Sequence, residues 1–226
     1  MTIDSDQLDA LRAYDTPTLA NALGGLADRP ANAGYTRLSV HSVLPQLPPM
    51  VGLAVTATIR SETPFSSPEA GAKAMLPLYD VVAAVDGPKV VVVQDLDQGS
   101  GCLWGEVNST ICSAMRCEGV VTDGLVRDVP DVEALGFRYL ARGVGVARAW
   151  VTIEETGVPV TVGGTSFAPG DVVHADRHGA LLIPAEVLAA LPAAADAVIE
   201  RERRLLDWVR SHDFDPTELA ARRAQH

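Results

Sequence analysis

The chain has 226 residues, 47% of them hydrophobic and 21% charged, and a formal net charge of −11 at pH 7. That length and balance suit a packed core, whereas the negative charge, with no Lys/Arg cluster to offset it, argues against nucleic acid as a direct ligand. No apolar run reaches the ~18 residues of a membrane span, residues 1–9 lack the basic opening of a signal peptide, and three cysteines at spacings that match no zinc template speak against a disulfide framework, so a soluble cytoplasmic protein without a membrane partner is expected.

Thr16-Pro17 predicts the start of the first strongly signalled helix, with Thr16 as its cap, and Gly24-Gly25 closes it. Residues 53–59 alternate Val, Ala, Thr and Ile as a strand does. Helical spacing then runs over residues 69–84, with Ala70, Ala74, Leu78 and Val82 near one stripe. The β-branched run at 90–93 predicts a strand covered on both faces. A helix is expected over 106–117, with Cys112 and Cys117 as small buried hydrophobes, while Cys102 falls in a Gly-rich loop and has no partner base.

A short strand at 119–121, a turn at Asp123-Gly124, a helix at 131–135 and a strand at 137–141 follow. This alternation implies an α/β layered domain. From residue 144 to 183 the pattern changes to short strands broken by Gly163-Gly164 and Pro169-Gly170. Residues 185–210 read as one long Ala/Leu/Arg/Glu helix, with a break near 213–216 and a last short helix. The expected division is a domain over 1–184 and a C-terminal helical extension over 185–226.

The stretch Gly119-Val-Val-Thr-Asp-Gly-Leu-Val-Arg-Asp128 carries the chemistry. It places Arg127 and Asp128 on a strand-to-helix connection, where a guanidinium beside a carboxylate can hold an anionic substrate and a divalent cation at one point. The alternative is a surface ion pair. Gly105 precedes a helix start, so the backbone amides of Glu106, Val107 and Asn108 can receive a carboxylate, or simply begin a helix that binds nothing. His174 and His178 fall on a strand and turn, where their spacing separates the rings by ~13 Å and makes a joint zinc site unexpected. Gly143-Val-Gly145 is too short for a dinucleotide fingerprint, and Ser109 and Ser113 lack the signature of a nucleophile elbow.

Four segments, Asp15-Thr-Pro-Thr-Leu-Ala-Asn-Ala-Leu23, Gly52-Leu-Ala-Val-Thr56, Gly105-Glu-Val-Asn108 through Arg127-Asp128, and Val162-Gly-Gly-Thr-Ser-Phe-Ala-Pro-Gly-Asp171 continuing to Ile183-Pro184, carry a wider likeness. In them the chain resembles the RraA-like family, which holds class II aldolases of 4-hydroxy-4-methyl-2-oxoglutarate and 4-carboxy-4-hydroxy-2-oxoadipate, and the RraA regulators of ribonuclease E. The resemblance implies a swivelling β/β/α domain and a Mg²⁺ or Mn²⁺ ion on Asp128, with Asp131 holding one of its waters. It implies that Arg127 contacts the keto oxygen, that the stretch after Gly105 offers the Val107 and Asn108 amides to the substrate carboxylate, and that Glu106 positions a water. It further implies a trimer or hexamer in which a neighbour's C-terminal helix lends a glutamate, for which Glu200 and Glu202 are the candidates, each otherwise a solvated helix charge.

The expected activity is retro-aldol cleavage of a 4-hydroxy-2-keto dicarboxylic acid to pyruvate and a second keto acid, with oxaloacetate decarboxylation as a side activity. The alternative is a non-enzymatic regulator whose acidic surface masks the RNA-binding region of a ribonuclease. Two positions depart from the family's pattern. Gly105-Glu-Val-Asn108 stands where Gly-Asp/Glu-Leu-Leu is usual, so Asn108 is expected to reshape the pocket, and Asn21 stands where Asp is common.

Overall fold

The computed structural model of the chain describes residues 4–27, 30 and 32–224. In chain order the elements are α1 (Ser5–Leu11), α2 (Thr16–Leu23), β1 (His41–Ser42), β2 (Met50–Arg60), α3 (Pro68–Lys73), α4 (Leu76–Ala84), β3 (Lys89–Asp95) and β4 (Cys102–Trp104). There follow α5 (Glu106–Ala114), β5 (Cys117–Thr122), β6 (Leu125–Val126), α6 (Val129–Leu135), β7 (Arg138–Ala141), β8 (Gly143–Val144), β9 (Thr152–Thr156), β10 (Val160–Val162) and β11 (Thr165–Phe167). The strands β12 (Val172–Asp176) and β13 (Gly179–Ile183), a 3₁₀ turn (Ala185–Val187), α7 (Leu191–Arg210), a second 3₁₀ turn (Pro216–Glu218) and α8 (Leu219–Ala224) complete the chain.

The main sheet runs β1-β7-β5-β3-β2-β12-β13. Its centre is parallel, β2 to β3 to β5 to β7, and its β1 and β12-β13 flanks are antiparallel. The long strand β2 pairs with β3 from Leu53 to Ile59 on one edge and divides the other edge between β12 and β9. Gly52 makes this approach possible, because a Cβ there would lie 2.8 Å from the Lys89 backbone nitrogen.

Three layers follow from the alternation of side chains along these strands. One face of the sheet, with Val55, Val91, Val93 and Val120, packs on α4, α5 and α6 through Leu78, Val82, Cys112 and Val132. The other face, with Ala54, Val90, Val92 and Val121, is covered by the β10-β11 hairpin through Val160, Val162 and Phe167. This is a β/β/α arrangement, and it explains why the strands read as continuous β-branched runs: both faces are dry. A further apolar cluster joins α1 and α2 to β12, β13 and the first turns of α7, where Leu191, Ala195 and Val198 are buried.

Several sequence expectations need correction. The helix expected over 69–84 is two helices, because Pro77 has no N–H and its ring would collide with the carbonyl of Lys73, four residues back, where α3 ends. Asp15, not Thr16, caps α2, its carboxylate accepting the Thr18 N–H at 2.8 Å. The helix expected to reach Cys117 stops at Ala114, since Arg116 turns the chain through φ 66° and Cys117 opens β5, although Cys112 and Cys117 are both buried as expected. Cys102 lies on β4, buried, rather than in a loop. The segment from 185 begins as a 3₁₀ turn, and the long helix starts only at Leu191, ahead of Pro192 in its first turn.

Candidate active site

Beside the main sheet, β4, β6 and β8 form a small parallel sheet. Pairing of Cys102 with Leu125 and Trp104 with Val126, continued by an Arg127 N–H to Trp104 carbonyl bond of 3.0 Å, brings the ends of β4 and β6 side by side. Each strand runs directly into a helix. Gly105-Glu106 and Arg127-Asp128 therefore meet where two parallel strands end and α5 and α6 begin, a position that α/β proteins use for ligands.

Asp128 makes the turn into α6 in the left-handed region, at φ 58° and ψ 40°, a conformation that Asp tolerates better than most residues. The turn sends its carboxylate back to the start of α5, where Oδ2 accepts the Glu106 N–H at 3.0 Å. Gly105 is the condition for this: a Cβ there would stand 2.5 Å from Asp128 Oδ2. Arg127 Nε lies 3.5 Å from the same oxygen, a loose ion pair. The next two amides of α5, on Val107 and Asn108, have no partner among the described residues, and both residues line a cavity of ≈ 330 Å³.

That cavity is lined by Gly105, Val107, Asn108, Arg127 and Asp128 together with residues for which the sequence offered no local signal. Tyr79 reaches in from α4 and donates its hydroxyl to Asn108 Oδ1 at 2.8 Å, while Asn108 Nδ2 donates to the Leu103 carbonyl at 3.3 Å. Burial pushes the Tyr79 phenol up to about 12, so it stays a neutral donor near pH 7. Phe65, Met75 and Ile111 supply an apolar wall, and Arg148 a second guanidinium. With two arginines and one aspartate, the cavity lining carries one net positive charge in a chain of net charge −11.

Other candidate residues lie elsewhere. Glu106 and Asp131 sit exposed in the first turns of α5 and α6, beside the cavity but outside its lining. Glu200 and Glu202 are on α7, which packs on α2; within the chain Glu200 pairs with Arg203 and Glu202 accepts a long 3.5 Å bond from Asn21. Ser109 is buried and spent on structure, donating to the Gly105 carbonyl at 2.9 Å and meeting the Tyr139 hydroxyl at 2.9 Å. The Cys102 thiol, 1% exposed and pushed up by burial, faces the Val126 carbonyl and is no ready nucleophile. His174 is buried on β12, held between the Thr16 hydroxyl at 3.0 Å and the Tyr14 carbonyl at 3.1 Å, and His178 lies on the following turn against Asp176. The two do not share a site.

Asp128 suits a hard divalent cation of one kind. Its Oδ1 has no partner among the described residues, whereas Oδ2 is anchored at α5. Among the described residues no three His, Cys, Asp or Glu side chains come together as a closed cage. One free carboxylate oxygen beside open space fits an ion such as Mg²⁺, which keeps most of its waters and takes only one or two carboxylates from the protein.

Comparison with known proteins places these features in context. The RraA-like family model, described as Aldolase/RraA, matches residues 16–182. An uncharacterised protein of Methanocaldococcus jannaschii, MJ0644, is 31% identical over 124 residues, covering 54% of this chain and 60% of that protein. A Halalkalibacterium halodurans protein whose provisional name is 4-hydroxy-4-methyl-2-oxoglutarate aldolase is 29% identical over 96 residues, 42% of this chain and 46% of that one. The matched region thus spans about half to three fifths of these relatives. Among solved structures, Streptomyces coelicolor RraAS2, described as an unusual member of the RNase ES inhibitor RraA family, superposes with a TM-score of 0.71 at 21% identity over 90% of this chain and 96% of that one, which is a likeness of fold.

Proposed function

Because the chain belongs to the RraA-like family, we propose that it is a Mg²⁺- or Mn²⁺-dependent lyase that cleaves a 4-hydroxy-2-keto dicarboxylic acid to pyruvate and a second keto acid, with oxaloacetate decarboxylation as a side activity. One observation carries this reading: Arg127, the anchored Asp128 carboxylate and the two unpaired amides of Val107 and Asn108 open into one cavity. Those groups match the parts of a 2-keto acid, with the amides for the carboxylate, the guanidinium for the keto oxygen and the carboxylate for a cation. The named aldolase among the relatives supports the same class.

In the proposed reaction the Val107 and Asn108 amides hold the substrate carboxylate at the start of α5. Arg127 donates to the 2-keto oxygen and meets the charge that grows there as the C3–C4 bond breaks. Asp128 would hold the cation, which when bound polarises the keto group. The C4 hydroxyl proton passes to a water held by Glu106, the C4 oxygen becomes a carbonyl, and the bonding pair moves to C3 as the pyruvate enolate, which then takes a proton at C3. In this reading Asp131, in the first turn of α6, would hold a second water near Asp128.

We further propose that the chain works as a trimer or hexamer, in which the helical segment 185–226 brings Glu200 or Glu202 of a neighbour to the cavity. The family also includes regulators of ribonuclease E, and the −11 charge suits that role equally. Pyruvate release from 4-hydroxy-4-methyl-2-oxoglutarate and from oxaloacetate, with Mg²⁺ and with EDTA, separates the two. Cation-dependent pyruvate supports the lyase, and its absence with both substrates supports the regulator.

A further inference from the structure

Arg148 is the cationic side chain in the cavity wall that the proposed chemistry does not use. Its backbone is fixed rather than loose. The Cys102 N–H donates to the Ala147 carbonyl at 2.7 Å and the Ala149 N–H to the Cys102 carbonyl at 2.9 Å, so the segment 147–149 is tied to β4. Ala149 is buried, and a Cβ on Gly101 would lie 2.7 Å from its Cα, so this contact leaves no slack. The same strand β4 bonds to β6, whose continuation carries Arg127. Both guanidiniums are thus hung from one strand and open into one cavity.

Their surroundings differ. Arg127 already lies against Asp128, whereas Arg148 makes no hydrogen bond or ion pair with any described residue. An unpaired guanidinium on a rigid backbone, next to an apolar wall of Phe65, Met75 and Val151, presents a fork of donors that matches a carboxylate. The cavity lining therefore holds two guanidiniums in different settings. Arg127 is next to Asp128, close to the start of α5, and the Arg148 guanidinium has no partner among the described residues.

Resting on the lyase reading above, we propose that Arg148 binds the second carboxylate of the substrate, on the C4 side of the bond that breaks, and so sets the preference for dicarboxylic over monocarboxylic keto acids. It is a specificity residue and moves no proton. A contact made equally in the ground and transition states appears in KM and leaves kcat nearly unchanged.

The test compares wild type, Arg148→Gln and Arg148→Lys on 4-hydroxy-4-methyl-2-oxoglutarate and on 4-hydroxy-2-oxopentanoate, which lacks the second carboxylate, in saturating Mg²⁺. Arg148→Gln is expected to raise KM for the dicarboxylate on the order of 10-fold, the loss of one charge-assisted contact in a water-exposed site. It should leave kcat and the monocarboxylate constants close to wild type, with Arg148→Lys intermediate. Unchanged KM for the dicarboxylate, or equal loss on both substrates, would overturn the assignment. Wild type inactive on both substrates would overturn the lyase reading together with it, a failure visible before any variant is made.

Discussion

Replacement of Asp128 separates its structural work from its chemical work. The carboxylate accepts the Glu106 N–H at 3.0 Å from a residue at φ 58°. Asp128→Ala removes the acceptor at the start of α5, a loss of about 1 kcal/mol, and puts a side chain without polar compensation in the left-handed region, about 1 kcal/mol more. The sum of roughly 2 kcal/mol predicts a melting temperature lower by about 4–8 °C for a chain of this size. Asp128→Asn keeps an oxygen for the Glu106 N–H and tolerates the same backbone, so it should lose well under half of that. Both variants lack the carboxylate and should lose cation-dependent pyruvate release, read by coupling to lactate dehydrogenase. Thermal denaturation and turnover therefore rank the variants differently. A fully stable Ala variant would refute the capping argument, and an Asn variant with wild-type cation-dependent turnover would refute Asp128 as the ligand.

Gly105→Ala should drive the Asp128 carboxylate off the α5 start, since the new Cβ would stand 2.5 Å from Oδ2; more than a tenfold loss of activity is expected, and retained activity would show that this approach is not needed. Burial lowers the His174 imidazole to about 4. The unfolded chain takes up that proton first, near 6.5, so this part of the stability is complete above that pH and is lost as pH falls toward 4, on the order of 3 kcal/mol in all. Urea midpoints measured between those pH values should fall less steeply in His174→Gln, and an unchanged slope would contradict the assignment. Light scattering should report a trimer or hexamer, and mixing inactive Arg127→Ala subunits with inactive Glu200→Ala/Glu202→Ala subunits should restore part of the activity; a fully active monomer would leave both glutamates as surface charge.

Much of the fold was legible because strands dry on both faces have little freedom of composition. The Val runs of β3 and β5 and the alternation of helix and strand give the α/β layering directly. What escaped were local details decided by single residues, such as Pro77 splitting one helical stripe in two and Arg116 ending α5 early. The site shows the same division. Gly105 to Asn108 and Arg127-Asp128 stand out because each is a continuous strand-to-helix turn with its chemistry in adjacent residues. Tyr79, Phe65 and Arg148 reach the same cavity from α4, from the stretch before α3 and from the stretch after β8. Their neighbours in sequence carry no sign of it, since only the packing of α4 against the sheet and of residues 147–149 against β4 brings them in. Cys102 was misread for a related reason: glycines that suggest a loop instead let β4 pack closely, Gly101 against Ala149.

Proton exchange at the pyruvate methyl group tests, without any assumption about the native substrate, whether Arg127, Asp128 and the α5 amides stabilise a pyruvate enolate. Pyruvate incubated in D₂O with the protein and Mg²⁺ should lose its methyl signal by proton NMR faster than with Mg²⁺ alone. Addition of EDTA should abolish the effect, and Arg127→Lys should slow it on the order of 10²-fold, because an ammonium cannot reproduce the two-donor contact to the enolate. Exchange no faster than the protein-free control, or equally fast in Arg127→Lys, would show that these groups do not stabilise the enolate.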